Sequence, residues 1–263
     1  GEDAFQRVIK QAKQANIMFL IQQTNLRNSE LKTDEIGALK SSMKDVAKDT
    51  KNKVLDNVEV AAYASPDGGM LLNVDVAGGR EKNTAKFVEE QMKKAELKGY
   101  LDTDYTAEDW EGFKELVSAS NIQDKDLILR VLEMNKDPEQ REKEIKNLSS
   151  IYSALADEIL PQLRRSRLTL NYEIIGKSDE EIANLADNNA KELSLEELLY
   201  AATLAKDAAK KEAIYTKATQ LFPNDYRAFN NLGKLAYEAG DMDKAENLLK
   251  KALTVKENPE ANM

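Results

Sequence analysis

The chain has no cysteine and no histidine among its 263 residues. A thiolate nucleophile, a disulfide framework and a thiolate zinc site are thereby excluded. A Ser-His-Asp triad and any histidine-ligated metal go with them. Proline and glycine are scarce, at 5 and 11 residues, so long low-complexity linkers are not expected. No run of about 18 apolar residues exists that would cross a membrane. The longest apolar stretch, Ile-Met-Phe-Leu-Ile at 17–21, is the length of a strand. Positive charge is also short: 38 Lys and Arg against 47 Asp and Glu leave a net charge of −9. Nucleic acid is disfavoured as a partner, because phosphate binding needs clustered cations.

What is present is globular material. Hydrophobic residues make up 41% and charged residues 32%, enough for packed cores under a solvated surface. The length suits two domains, or one domain and a short repeat array.

Residues 5–15 read as helical or irregular, and 16–26 as a strand, apolar first and then alternating. Thr33 can cap a helix over 34–49 with Ile36, Leu39, Met43 and Val46 on one face. The alternation at 58–64 predicts a half-buried strand, stopped by the turn residues Ser65-Pro66-Asp67-Gly68-Gly69. A helix is expected over 78–97, with Phe87, Val88 and Met92 inward, and a short strand near 99–104. Helices follow at 107–118, 124–135 and 138–160, then a last strand at 167–175. From Ser178 onward only helices are expected. The predicted class is α+β: a β-α-β-α-β sandwich over residues 1–176, with a helical insertion at about 106–160, and an all-α array over 177–263.

The array carries an internal repeat. Gly233 follows Leu199 by 34 residues, and Ala252 follows Ala218 by the same stride. The copies span about 191–223 and 224–257. The second resembles the tetratricopeptide consensus, with Phe229 at the bulky aromatic position and Leu232, Gly233 and Ala245 at the contact positions. Pro223 stands where a copy ends. Gly233 and Ala245 lack bulk, which suits close helix approach. The first copy departs from the pattern, with Leu199 for glycine and Lys211 for alanine. The resemblance implies a concave groove that binds a protein partner through Asn230, Lys234 and Tyr237. Asn258-Pro-Glu-Ala-Asn-Met263 looks like the opening of a further copy, so the native protein is expected to continue past Met263.

The segment Val58-Glu-Val-Ala-Ala-Tyr-Ala-Ser-Pro-Asp-Gly-Gly69, followed by Asn73 and Arg80, resembles the OmpA-type C-terminal domain, over roughly residues 15–175. That family binds peptidoglycan in the bacterial periplasm. The resemblance implies a cell-envelope, outer-membrane-associated location. It also implies a ligand site of Ser65, Asp67, Asn73 and Arg80, in which the arginine, expected at a helix start, grips a carboxylate of the wall peptide. The family aspartate falls at Ser65, and Asp67 can replace it only if the turn re-aims it. Tyr63 faces either ligand or core. The cluster Arg164-Arg165-Ser166-Arg167 is either an anion site or a solvated strand end paired with acids.

Two enzyme motifs do not hold. Asp102-Thr-Asp-Tyr-Thr106 matches a phosphotransferase string, but that chemistry needs a buried parallel strand before the first aspartate, and 98–101 reads as a poor one. An EF-hand loop would need glycine where Ala107 stands. No cofactor is expected. The residues point to a non-catalytic envelope adaptor, or alternatively to a pure protein-interaction scaffold without wall binding.

Overall fold

A computed structural model describes Phe5 and residues 7–257, and shows a mixed α+β chain with one four-stranded open sheet. Residues 258–263, where the opening of a further repeat is expected, lie outside the described residues. Ile9–Ile175 form one compact unit. Gly176 onward, together with the described residues up to Val8, form the other. The segment before Ile9 belongs with the helices, whereas the sequence-based division placed it in the first domain.

The sheet holds β1 (Val8–Met18), β2 (Lys53–Tyr63), β3 (Leu101–Thr106) and β4 (Arg165–Ile175) in the order β1-β4-β2-β3. β2 runs parallel to β3 and antiparallel to β4. One face packs on helices. Val58, Val60, Leu168 and Leu170 meet Ile36, Leu39, Met43 and Val46 of α2 (Asp34–Lys48), which follows a single-turn α1 (Asn28–Leu31). Val88 and Met92 of α3 (Met70–Lys94) close the same core, and Phe87 is half-buried beside it. Thr33 caps α2 as expected, its hydroxyl accepting from Ile36 N at 3.3 Å, a contribution of about 1 kcal/mol.

The opposite face is polar. Asn171 Nδ2 donates to Asn57 Oδ1 at 2.9 Å, and Asn57 Nδ2 to Asp102 Oδ2 at 2.7 Å, so side chains tie three strands together. Residues 101–106 therefore do form a parallel strand, against the expectation of a poor one at its start. Asp102 and Asp104 nevertheless stand exposed along an edge strand.

Two expected elements moved. β1 begins at Val8, and 20–26 is loop. α3 begins at Met70, eight residues before Gly78. Gly79 is tolerated inside it because the helix presses on Thr24: a Cβ there would lie 2.8 Å from Thr24 Cγ2.

The insertion builds its own core from α4 (Trp110–Ala119), α5 (Lys125–Met134) and α6 (Pro138–Asn147), with Trp110 edge-on to Phe113 at 5.5 Å. The single helix expected over 138–160 is broken into α6, α7 (Ser149–Ala154), a π-helical turn (Leu155–Ile159) and α8 (Leu160–Leu163). Leu148 leaves helical geometry at ψ 60°, and Leu160 N reaches back five residues to Leu155 O just before Pro161, which has no N–H to give.

After Gly176 the chain is helical: α9 (Asp179–Asn188), α10 (Leu195–Leu204), α11 (Ala208–Leu221), α12 (Tyr226–Glu238) and α13 (Met242–Glu257). Ser178 and Ser194 open α9 and α10 with full capping boxes. α10 packs on α11, α11 on α12 and α12 on α13. Among the described residues no helix is long and apolar enough to cross a membrane.

Candidate functional site

Seven residues separate Asn73 from Arg80. Two helical turns place them on one face of α3. Both are buried, Arg80 to 1% exposure. Because α3 starts at Met70, Arg80 is its eleventh residue and lies far from the N-terminal dipole expected to assist it. Its guanidinium is spent on backbone. Nε donates to Gln23 O at 2.9 Å, Nη1 to Tyr63 O at 2.8 Å and Nη2 to Leu20 O at 3.1 Å. The plane sits 5.0 Å from the Phe19 ring centroid. Burial pulls its pKa down to about 10, the nearby Arg164 charge adds to this, and Asp67 opposes it.

The turn after β2 is equally closed. Ser65 Oγ donates to Asp67 Oδ1 at 2.7 Å. Arg164 donates from Nε to Ser65 Oγ at 3.2 Å and from Nη2 to Asp67 Oδ2 at 2.7 Å. Both Asp67 oxygens are engaged within the chain, so the turn does not aim this carboxylate at a ligand ammonium. Asn73 Nδ2 donates to Gly68 O at 2.7 Å and, more weakly, to Glu108 Oε1 at 3.4 Å. The structure therefore brings Ser65, Asp67, Asn73 and Arg80, the four residues expected in a ligand site, into one region. Arg164 bridges Ser65 and Asp67, and Glu108 meets Asn73, two contacts that the sequence did not reveal.

Arg164 and Arg165 are not solvated. Each is 12% exposed, Arg165 pairing Asp109 at 2.9 Å and lying 4.2 Å from the Tyr63 ring centroid. Tyr63 is thus covered by a cation. Glu108 accepts from the Trp110 indole at 2.9 Å, and burial holds its carboxyl above the usual carboxylate range. The signal for this network was the pairing of basic residues at 164–165 with acids at 67 and 109, far apart in sequence.

The second candidate surface lies on α12. Ala228, Leu232, Gly233 and Ala236 are buried. Asn230, Lys234 and Tyr237 form the opposite, exposed stripe, with Tyr237 at 62%. Lys234 makes a loose 3.9 Å pair with Glu238. Arg227 links α12 to α10, donating to Glu196 at 2.9 Å, and a groove of about 560 Å³ opens beside it between Glu196, Phe222 and Tyr226. Of the residues expected in a groove, all three share one solvent face. The chain matches no protein-family model, and no curated protein matches it.

Proposed function

We propose that this protein is a non-catalytic adaptor of the cell envelope, periplasmic and associated with the outer membrane. A tetratricopeptide-like pair of hairpins holds a protein partner, and an OmpA-like unit serves as the anchor. The observation that carries the reading is the α12 stripe. A tyrosine, a lysine and an asparagine are presented together, while the helix's other face is used up in packing. An amphipathic tyrosine beside polar donors is the composition of a protein-binding surface. The test is affinity capture from envelope extracts with wild type and with the Asn230→Ala/Tyr237→Ala variant. A partner held by wild type and released by the variant supports the reading; identical capture by both overturns it.

A second reading, recognition of wall peptide by the OmpA-like unit, has one feature in its favour. Arg80 and Arg164 share a single neighbouring carboxylate, Asp67, which leaves one positive charge to attract a ligand carboxylate. Retention on purified peptidoglycan, weakened by Ser65→Asp because the added carboxylate takes up that charge, is the expected result. Absence of retention in both proteins leaves the protein-binding scaffold.

A further inference from the structure

The α12 stripe has a counterpart on α10, and the chain covers it with its own residues. Tyr200 precedes Lys234 by the 34-residue stride, so it holds in α10 the place Lys234 holds in α12. Lys234 is exposed, whereas Tyr200 is half-buried. The Phe5 ring stacks on it at 4.2 Å between centroids and 13° between planes. The Arg7 guanidinium lies 5.7 Å from the Tyr200 centroid and 5.8 Å from that of Phe5. Asp179, the first residue of α9, accepts the Tyr200 hydroxyl at 2.8 Å and ion-pairs with Arg7. These two donors hold the Asp179 carboxyl below its ordinary range, Arg7 contributing most.

Backbone completes the arrangement. Gly176 N donates to Arg7 O at 2.6 Å, and a Cβ at Gly176 would stand 3.2 Å from that oxygen. A ring face, a carboxylate and a backbone N–H therefore converge on one short peptide. They read an aromatic side chain, an arginine two positions later and the main chain between strand and helix. The ionic part is open to water, with the Arg7 side chain 38% and the Asp179 side chain 52% exposed. An exposed pair of this kind is weakly held and exchangeable.

We infer that Tyr200, Asp179 and the Gly176 N–H form a peptide site for an aromatic residue followed two positions later by arginine. Phe5 and Arg7 occupy it in cis until a partner segment of the same chemistry displaces them. The inference rests on the reading of the helical hairpins as a protein-binding surface, and it adds the partner's motif and a built-in competitor. It also explains why the α10 portion of that surface is covered while the α12 portion is bare.

The probe is a fluorescein-labelled peptide with the sequence of residues 3–10, titrated into the full chain by fluorescence anisotropy. Phe5→Ala/Arg7→Ala removes the internal occupant, and Arg7→Glu repels it from Asp179 while keeping Phe5. Both opened variants are expected to bind the peptide at least about 10-fold more tightly than wild type, since they no longer compete with it. Adding Tyr200→Ala to either, or replacing the peptide's phenylalanine by alanine, should abolish the gain. Far-UV melting curves matching wild type confirm that the opened variants fold. Equal peptide affinity in wild type and both opened variants overturns the inference. So does a gain that survives Tyr200→Ala. Capture that is insensitive to Tyr237 would remove the proposed partner face on α12 without touching this result, so the two failures are separable.

Discussion

Arg80 Nη1 donates to the carbonyl oxygen of Tyr63 at 2.8 Å, fastening the middle of α3 to the last residue of β2. The same side chain holds Leu20 O and Gln23 O, so one guanidinium secures a strand end and a loop. Removing it strands three acceptors. A buried polar group without a partner costs about 1–3 kcal/mol, and loop carbonyls recover part of that from water. Arg80→Met is expected to lower the stability of the Ile9–Ile175 unit by about 3 kcal/mol. Arg80→Lys should lose about half as much, because an ammonium cannot span a three-way fork. Trp110, the chain's single tryptophan, reports the transition in urea. Wild-type midpoints for Arg80→Met would show that these bonds do not stabilise the fold.

Asp67 and Arg164 form an enclosed ion pair in the same region, with side chains 9% and 12% exposed. Truncating one partner leaves the other charge poorly solvated, and Arg80 makes the remainder worse when Asp67 is the residue lost. Asp67→Asn is expected to cost about 2 kcal/mol and Arg164→Gln less, with a coupling of about 1 kcal/mol or more in the double-mutant cycle. Additive single effects would mean that the pair is electrostatically idle.

How much of this was legible in the sequence depended on whether water or packing set the pattern. α2 was readable because one of its faces meets only core: Ile36, Leu39, Met43 and Val46 recur at helical spacing, and Thr33 stands at the cap. β1 was not. Its first seven residues are exposed, so Lys10, Gln11, Lys13 and Gln14 carry no period-two signal, and the apolar run at 17–21 ends in Leu20 and Ile21, which face solvent. The first eight residues of α3 were missed because two adjacent glycines, Gly78 and Gly79, lower helix propensity there, whereas Gly79 marks the close approach of Thr24. The sequence pattern put Arg80 at a helix start and Asn73 before that helix, so it did not show that both residues lie on one helix face. Nor could it foretell that Arg80 would serve backbone carbonyls, since two of those arrive from a loop 57 and 60 residues upstream.

At Gly233 the repeat pattern makes a claim that packing can check. A Cβ there would stand 2.8 Å from Leu249 Cδ2 and 3.4 Å from Leu249 N. Alanine gains about 1 kcal/mol of helix propensity, and the 37%-exposed Leu249 can swing away, so Gly233→Ala should be near neutral. Gly233→Leu forces α12 and α13 apart and should cost about 2 kcal/mol. Leu249→Ala in that background should restore at least half of the loss, measured by helix signal on thermal melting. An absence of rescue would place the strain elsewhere.

Glu108 gives the molecule a pH dependence with a definite sign. Desolvation raises its carboxyl above the unfolded value, while the Trp110 indole and the Asn73 amide oppose the shift by stabilising the charged form. A raised folded-state value means that the native state binds the proton more tightly than the unfolded chain. The contribution to stability is therefore fully present below the ordinary carboxylate range and is lost as pH rises through the raised value. Glu108→Gln stays neutral throughout and can still accept from the indole. Its melting temperature relative to wild type should accordingly be higher at pH 8 than at pH 4. A gap between the two proteins that does not change with pH would mean that the Glu108 carboxyl titrates alike in the folded and unfolded chain, and that its enclosure by Trp110 and Asn73 carries no electrostatic cost.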